Sequence, residues 1–139
     1  MARRTLGAIV LTLGAAALTG CGGSTSDPAA APRERPAAAR QADPQAFAAA
    51  VRDPRVFVLN VHVPDEGSIA GTDVSIPFDR LRERRAELPE PSTPLAVYCR
   101  SGSMSAEAVR TLADLGYRDV VELRGGMVAW SAAGRSLLP

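Results

Sequence analysis

Leu95-Ala96-Val97-Tyr98 runs directly into Cys99-Arg100-Ser101-Gly102-Ser103-Met104-Ser105, and the reading of this stretch decides the fold. The four apolar residues read as a buried strand. From about Ser103, Met104, Ala108, Val109, Leu112 and Leu115 fall on one face of a helix, and Gly116 is placed to stop it. A strand therefore ends, a cysteine sits at its tip, a loop of small residues curls round it, and a helix begins. Such a loop can point main-chain N–H groups at a sulfur, and the helix N-terminus adds its partial positive charge. A thiolate is favoured there and would react near neutral pH. The competing reading is a structural cysteine packed like a small hydrophobe. Gly102 and the three serines suit a tight exposed loop better than a core.

Downstream, 119–123 reads as another strand, Gly125-Gly126 as a turn, and 127–133 as a last helix with Trp130 as a core anchor. Upstream, Pro89, Pro91 and Pro94 mark a loop. The spacing of Phe78, Leu81, Arg85 and Leu88 predicts a helix over 78–88, with Arg80, Arg82, Glu83, Arg84 and Glu87 on a solvated face. Val74-Ser75-Ile76 is a short strand closed by Pro77, and 64–67 is a turn with exposed acids. The run 56–61 is apolar almost throughout, as in a strand covered on both faces. Asp43-Pro44 caps a helix that carries Phe47, Ala50 and Val51 inward and ends near Asp53-Pro54. The alternation predicts a small α/β domain with a mostly parallel central sheet flanked by helices. Cys99 lies at the carboxyl end of a central strand, where open sheets place their sites.

The chain has 139 residues, 46% hydrophobic and 22% charged, enough for one domain. Its basic residues are all arginine. A net charge of +1 with no basic stripe gives no case for nucleic acid. Residues 1–20 read as a signal peptide, with Arg3 and Arg4 before an apolar stretch over 6–18 that is short for a membrane span. Leu18-Thr19-Gly20-Cys21 resembles a bacterial lipobox. This implies lipidation at Cys21, a membrane anchor, and a place on the extracytoplasmic face of the cell membrane. The other readings are an ordinary secretory signal with an incidental cysteine, or an uncleaved anchor. Residues 21–42 then form a flexible linker rich in alanine and proline, with Pro28, Pro32 and Pro36. The folded domain is expected over 43–139.

That domain resembles a single-domain rhodanese. The resemblance rests on Val58-Leu59-Asn60-Val61, on Gly67-Ser68-Ile69-Ala70-Gly71 ahead of Val74-Ser75-Ile76-Pro77, and on Val97-Tyr98-Cys99-Arg100-Ser101-Gly102. Leu115-Gly116-Tyr117 and Leu123-Arg124-Gly125-Gly126-Met127-Val128-Ala129-Trp130 complete it. It implies a three-layer α/β fold and a sulfurtransferase. Cys99 would take a sulfane sulfur from a donor such as thiosulfate, become a persulfide, and pass the sulfur to a thiophile such as cyanide or a thiol. The main-chain N–H groups of Arg100, Ser101, Gly102, Ser103, Met104 and Ser105 would face that sulfur. Arg100 could draw in an anionic donor or form a structural salt bridge. This chemistry calls for no metal and no cofactor. A monomer is expected, acting on a small sulfur compound.

Several positions depart from the common family pattern. Asn60-Val61-His62 stands where Asp-Val-Arg is usual, Ser68-Ile69-Ala70-Gly71 replaces His-Ile-Pro-Gly, and Met104 stands where the loop often has arginine. His62, the one histidine, is expected as a polar surface residue rather than a partner of Cys99. A phosphatase or arsenate reductase would need an arginine to close the Cys99 loop and clamp an oxyanion; the closing residue is Ser105. A tethered docking or redox-sensing module, and a Cys21–Cys99 disulfide, are the remaining alternatives.

Overall fold

The structure is a computed structural model and describes residues 39–139. The signal segment, Cys21 and most of the expected linker lie outside the described residues. Strands β1 (Arg40–Ala42), β2 (Phe57–Asn60), β3 (Val74–Ser75), β4 (Leu95–Tyr98) and β5 (Val120–Leu123) alternate with helices α1 (Pro44–Val51), α2 (Ser103–Asp114) and α3 (Gly126–Ala132). The strands form one parallel sheet in the order β1-β5-β4-β2-β3, so β4 is central. This is the expected three-layer α/β architecture.

The period of two along each strand builds both faces. Leu59, Leu95, Val97 and Val120 point to one side with Ala108 and Leu112 of α2. Val58, Ala96, Tyr98, Val121 and Leu123 point to the other, against Phe47 of α1 and Met127 and Trp130 of α3. Trp130 is the anchor its sequence context predicts. Its ring meets Phe47 edge-on at 6.3 Å, and its indole N–H donates to the Ser136 carbonyl at 3.1 Å.

Two expectations need correction. Arg40–Ala42 falls in the stretch read as linker, yet it pairs with Val121–Leu123 at the sheet edge. Only Ala42 of the three is buried, so the segment carries too little apolar signal to read as a strand. The helix expected over 78–88 is instead a run of turns ending in a 3-10 turn, Arg85–Glu87. Leu81 and Leu88 are buried, but Arg84 and Arg85 occupy the intervening helical positions, so no continuous apolar stripe exists. The arginines pair at the surface instead, Arg80 with Glu83 and Arg84 with Glu87, as a solvated face should.

Tyr98 ties the central strand to the loop after β2. Its hydroxyl accepts the Ile69 N–H at 2.9 Å and shares a hydrogen bond with the Thr72 hydroxyl at 2.7 Å. Burial pushes the phenol pKa up, which keeps it a neutral donor and acceptor. Tyr98→Phe leaves the buried Ile69 N–H without a partner. It is expected to lower stability by about 1–3 kcal/mol in urea denaturation. An unchanged midpoint would mean that this amide has another partner.

Candidate active site

Cys99 follows the last residue of β4, and residues 100–102 carry the chain into α2. Two backbone N–H groups among the described residues reach its sulfur, Gly102 at 3.1 Å and Ser105 at 3.4 Å. The Ser105 hydroxyl lies 3.5 Å from it. Of the loop residues expected to face the sulfur, Gly102 and Ser105 do so by hydrogen bonds. Ser101 and Ser103 are exposed, with their hydroxyls 3.4 Å apart. Met104 packs against the core cluster on the α2 side of the sheet.

The cysteine itself is 1% exposed, in contrast to the exposed loop expected from its small residues. It belongs to the core cluster of Leu59, Val97 and Ala108, because the strand it ends is buried at every position. The start of α3 closes over the loop. Met127 and Val128 donate their N–H groups to the carbonyls of Cys99 and Arg100 at 2.9 and 3.0 Å.

Beneath the sulfur lies a polar chain that sequence reasoning missed. The Ser105 hydroxyl is 2.6 Å from a Glu122 carboxylate oxygen, and the other Glu122 oxygen accepts from Gln41 of β1 at 3.3 Å. Glu122 is 5% exposed, and no described cation pairs with it. The available signal was a lone acid inside an otherwise apolar strand, Val-Val-Glu-Leu. Ser105→Ala removes the shorter of its two hydrogen bonds. The expected cost is about 1–3 kcal/mol by denaturant titration. A neutral outcome would show Gln41 to be partner enough.

A second missed group is Glu66. One carboxylate oxygen pairs with the Arg100 guanidinium, and the other accepts from His62 Nε2 at 2.7 Å. Arg100 first, then His62, holds the Glu66 carboxyl below the usual carboxylate range. His62 is therefore not the surface residue expected. Val61 N–H still pairs with the Tyr98 carbonyl, which carries the chain past β2 through the interior, and the His62 side chain is 5% exposed. Its Nδ1 is buried without a partner. Asn60 frames this turn, accepting the His62 N–H at 3.0 Å and donating to the Gly67 carbonyl at 3.3 Å. Asparagine can do both, whereas the aspartate usual here would only accept. The 64–67 acids looked merely exposed because the partner of Glu66 is 34 residues away.

Among the described residues no three His, Cys, Asp or Glu side chains gather as a metal site would require.

The architecture has counterparts among known proteins. The rhodanese-like domain family matches residues 37–133. This chain belongs to that family. It is 33% identical over 82 residues to a sulfurtransferase of Allochromatium vinosum, a match covering 57% of this chain and 75% of that protein. It is 43% identical over 81 residues to a probable adenylyltransferase/sulfurtransferase of Mycobacterium tuberculosis, covering 55% of this chain but 20% of that much longer protein. A rhodanese-related protein of Thermoplasma volcanium superposes with a TM-score of 0.61 at 32% identity, over 71% of this chain and 97% of the other. The rhodanese-like domain here thus has sulfurtransferases among its relatives, consistent with the sulfurtransferase role that the family resemblance implied.

Proposed function

We propose that this rhodanese-like domain is a sulfurtransferase whose Cys99 carries the sulfur as a persulfide. The observation that supports it most is Cys99 at the tip of the central strand, its sulfur held by the Gly102 and Ser105 N–H groups. These donors stabilise negative charge on sulfur without any titrating side chain. In the forward step the Cys99 thiolate attacks the sulfane sulfur of a donor. A Cys99 S–S bond forms, the donor's own bond to that sulfur breaks, and its electron pair leaves with the donor remnant, sulfite in the case of thiosulfate. A thiophile then attacks the outer sulfur, and the electron pair returns to Cys99. With cyanide the product is thiocyanate. The lipobox-like Leu18-Thr19-Gly20-Cys21 supports the further reading that the domain is lipid-anchored at Cys21 on the extracytoplasmic face, tethered through the residues that follow.

The test is sulfur loading. The protein is incubated with sulfane-sulfur donors, its intact mass is taken, and the modified peptide is mapped. A gain of one sulfur on Cys99 that cyanide removes is the expected result. The burial of Cys99 favours a second reading, a docking module in which the thiol serves as packing. A Cys99 that is alkylated but never gains sulfur from any donor would overturn the transferase in favour of that module.

A further inference from the structure

Glu122 is a buried acid that the transfer chemistry leaves without a role, and a line of hydrogen bonds joins it to the reacting sulfur. The Cys99 thiol lies 3.5 Å from the Ser105 hydroxyl oxygen and is placed to donate to it. That hydroxyl has one proton and two acceptors, a Glu122 carboxylate oxygen at 2.6 Å and the Gly102 carbonyl at 3.1 Å. The shorter bond takes the proton, which leaves a lone pair of the hydroxyl for the thiol. The second Glu122 oxygen accepts from the amide of Gln41, an exposed residue of the edge strand β1. Every donor in the line therefore points toward the carboxylate.

The surroundings of Glu122 supply no compensating charge. Its register neighbour in β4 is Val97 and in β1 it is Gln41. The charged residues of α2, Glu107, Arg110 and Asp114, are exposed, and α1 has none. Arg100 is engaged by Glu66, and no described arginine or histidine pairs with Glu122. Cys99 and Glu122 are the two side chains in the line that titrate. With the sulfur buried, loss of the thiol proton to solvent would put a second negative charge into the interior. Passing the proton to Glu122 moves one charge instead of adding one. The Gly102 and Ser105 N–H groups can then hold the negative sulfur, but they cannot receive its proton.

We propose that Ser105 and Glu122 form a proton relay for Cys99, in which Ser105 takes the thiol proton and Glu122 receives the proton that Ser105 gives up. The inference rests on Cys99 being the transferase nucleophile. The Cys99 S–H bond breaks and its electron pair stays on sulfur. A new O–H bond forms on Ser105, whose own proton passes to Glu122. Thiol and carboxylate become thiolate and carboxylic acid, with no electron exchanged and no change in net charge. When the thiophile removes the outer sulfur and the electron pair returns to Cys99, the proton returns along the same line. Ser105 touches the reacting atom. Glu122 acts through it, as the positioning residue that orients the hydroxyl and holds the proton.

The experiment follows two rates in the full chain from acid to alkaline pH, both mapped to the Cys99 peptide by mass: sulfur gain from thiosulfate and alkylation by iodoacetamide. Glu122→Gln keeps an acceptor for Ser105, and a turned Gln41 amide keeps its own bond, but the new amide cannot take a proton. Near neutral pH both rates should fall on the order of 100-fold, as loss of a general base does. They should recover as the pH rises and hydroxide removes the proton directly. Ser105→Ala breaks the same line at its middle, should behave alike, and serves if Glu122→Gln does not fold. The double variant should be no slower than the slower single, because the two residues act as one unit. Variants as fast as wild type near neutral pH, slow at every pH, or additive when combined overturn the relay and leave the transferase standing. Failure of both single variants to fold makes the pair structural and also overturns the relay. Wild-type alkylation with the expected response in the variants, but no sulfur gain at any pH, counts against the transferase and leaves the relay standing.

Discussion

Cys99→Ser is expected to reduce sulfur loading and thiocyanate formation to the uncatalysed background while the domain stays folded. A serine hydroxyl is neither ionised near neutral pH nor able to form a stable bond to a sulfane sulfur, so the covalent intermediate is lost outright rather than slowed. The fold should tolerate the change. The hydroxyl is slightly smaller than the thiol, and it can accept from the Gly102 and Ser105 N–H groups that now face sulfur. Against that stands the transfer of a more polar group into the cluster with Leu59, Val97 and Ala108. We expect a net cost near 1 kcal/mol, which in a domain of this size lowers Tm by about 4–8 °C. Loading that survives in Cys99→Ser would place the chemistry on another residue. A variant that fails to fold would assign Cys99 to packing.

The contrast between what the sequence disclosed and what it hid has a physical origin. The β4–loop–α2 unit was legible because each signal is local: an apolar run, a block of small residues, then a 3.6-residue periodicity. The two-sided sheet was legible for the same reason, from strands such as Phe57–Asn60 that are apolar nearly throughout. What stayed hidden depends on partners remote in the chain. Arg40–Ala42 is a strand only because Val121–Leu123 offers it an edge. The turns over 78–88 imitate a helix in spacing, but the mid-stripe positions hold arginines. Glu66 and Glu122 look like ordinary acids until folding brings Arg100 and His62 to the first and Ser105 and Gln41 to the second. His62 was misjudged because a polar residue after a strand usually lies in solvent, whereas here the interior continues through Val61 to the Asn60 frame.

The cysteine loop also depends on a residue that contributes no side chain. Gly126 opens α3 with φ +58°, and a Cβ built there would lie 2.3 Å from the Cys99 carbonyl oxygen and 2.5 Å from the Arg100 carbonyl carbon. Those are backbone atoms, so nothing nearby can rotate away. Gly126→Ala must therefore push α3 off the loop and strain the N–H contacts of Met127 and Val128 with the Cys99 and Arg100 carbonyls. Left-handed backbone strain and overpacking together predict a loss of about 3 kcal/mol or more. Gly102 separates the two costs. Its φ is +107°, but a Cβ there meets only the Gly125 nitrogen, at 3.9 Å. Gly102→Ala should thus lose about 1–2 kcal/mol, from backbone strain alone. Urea midpoints of the two variants, measured side by side, give the difference directly. If close approach of α3 holds the loop in place, Gly126→Ala is the less stable of the two. Its sulfur loading should also fall on the order of 100-fold, because a displacement of about 1 Å at a reacting centre costs that much. Equal stability would mean that α3 can retreat freely and that the loop holds its shape without it.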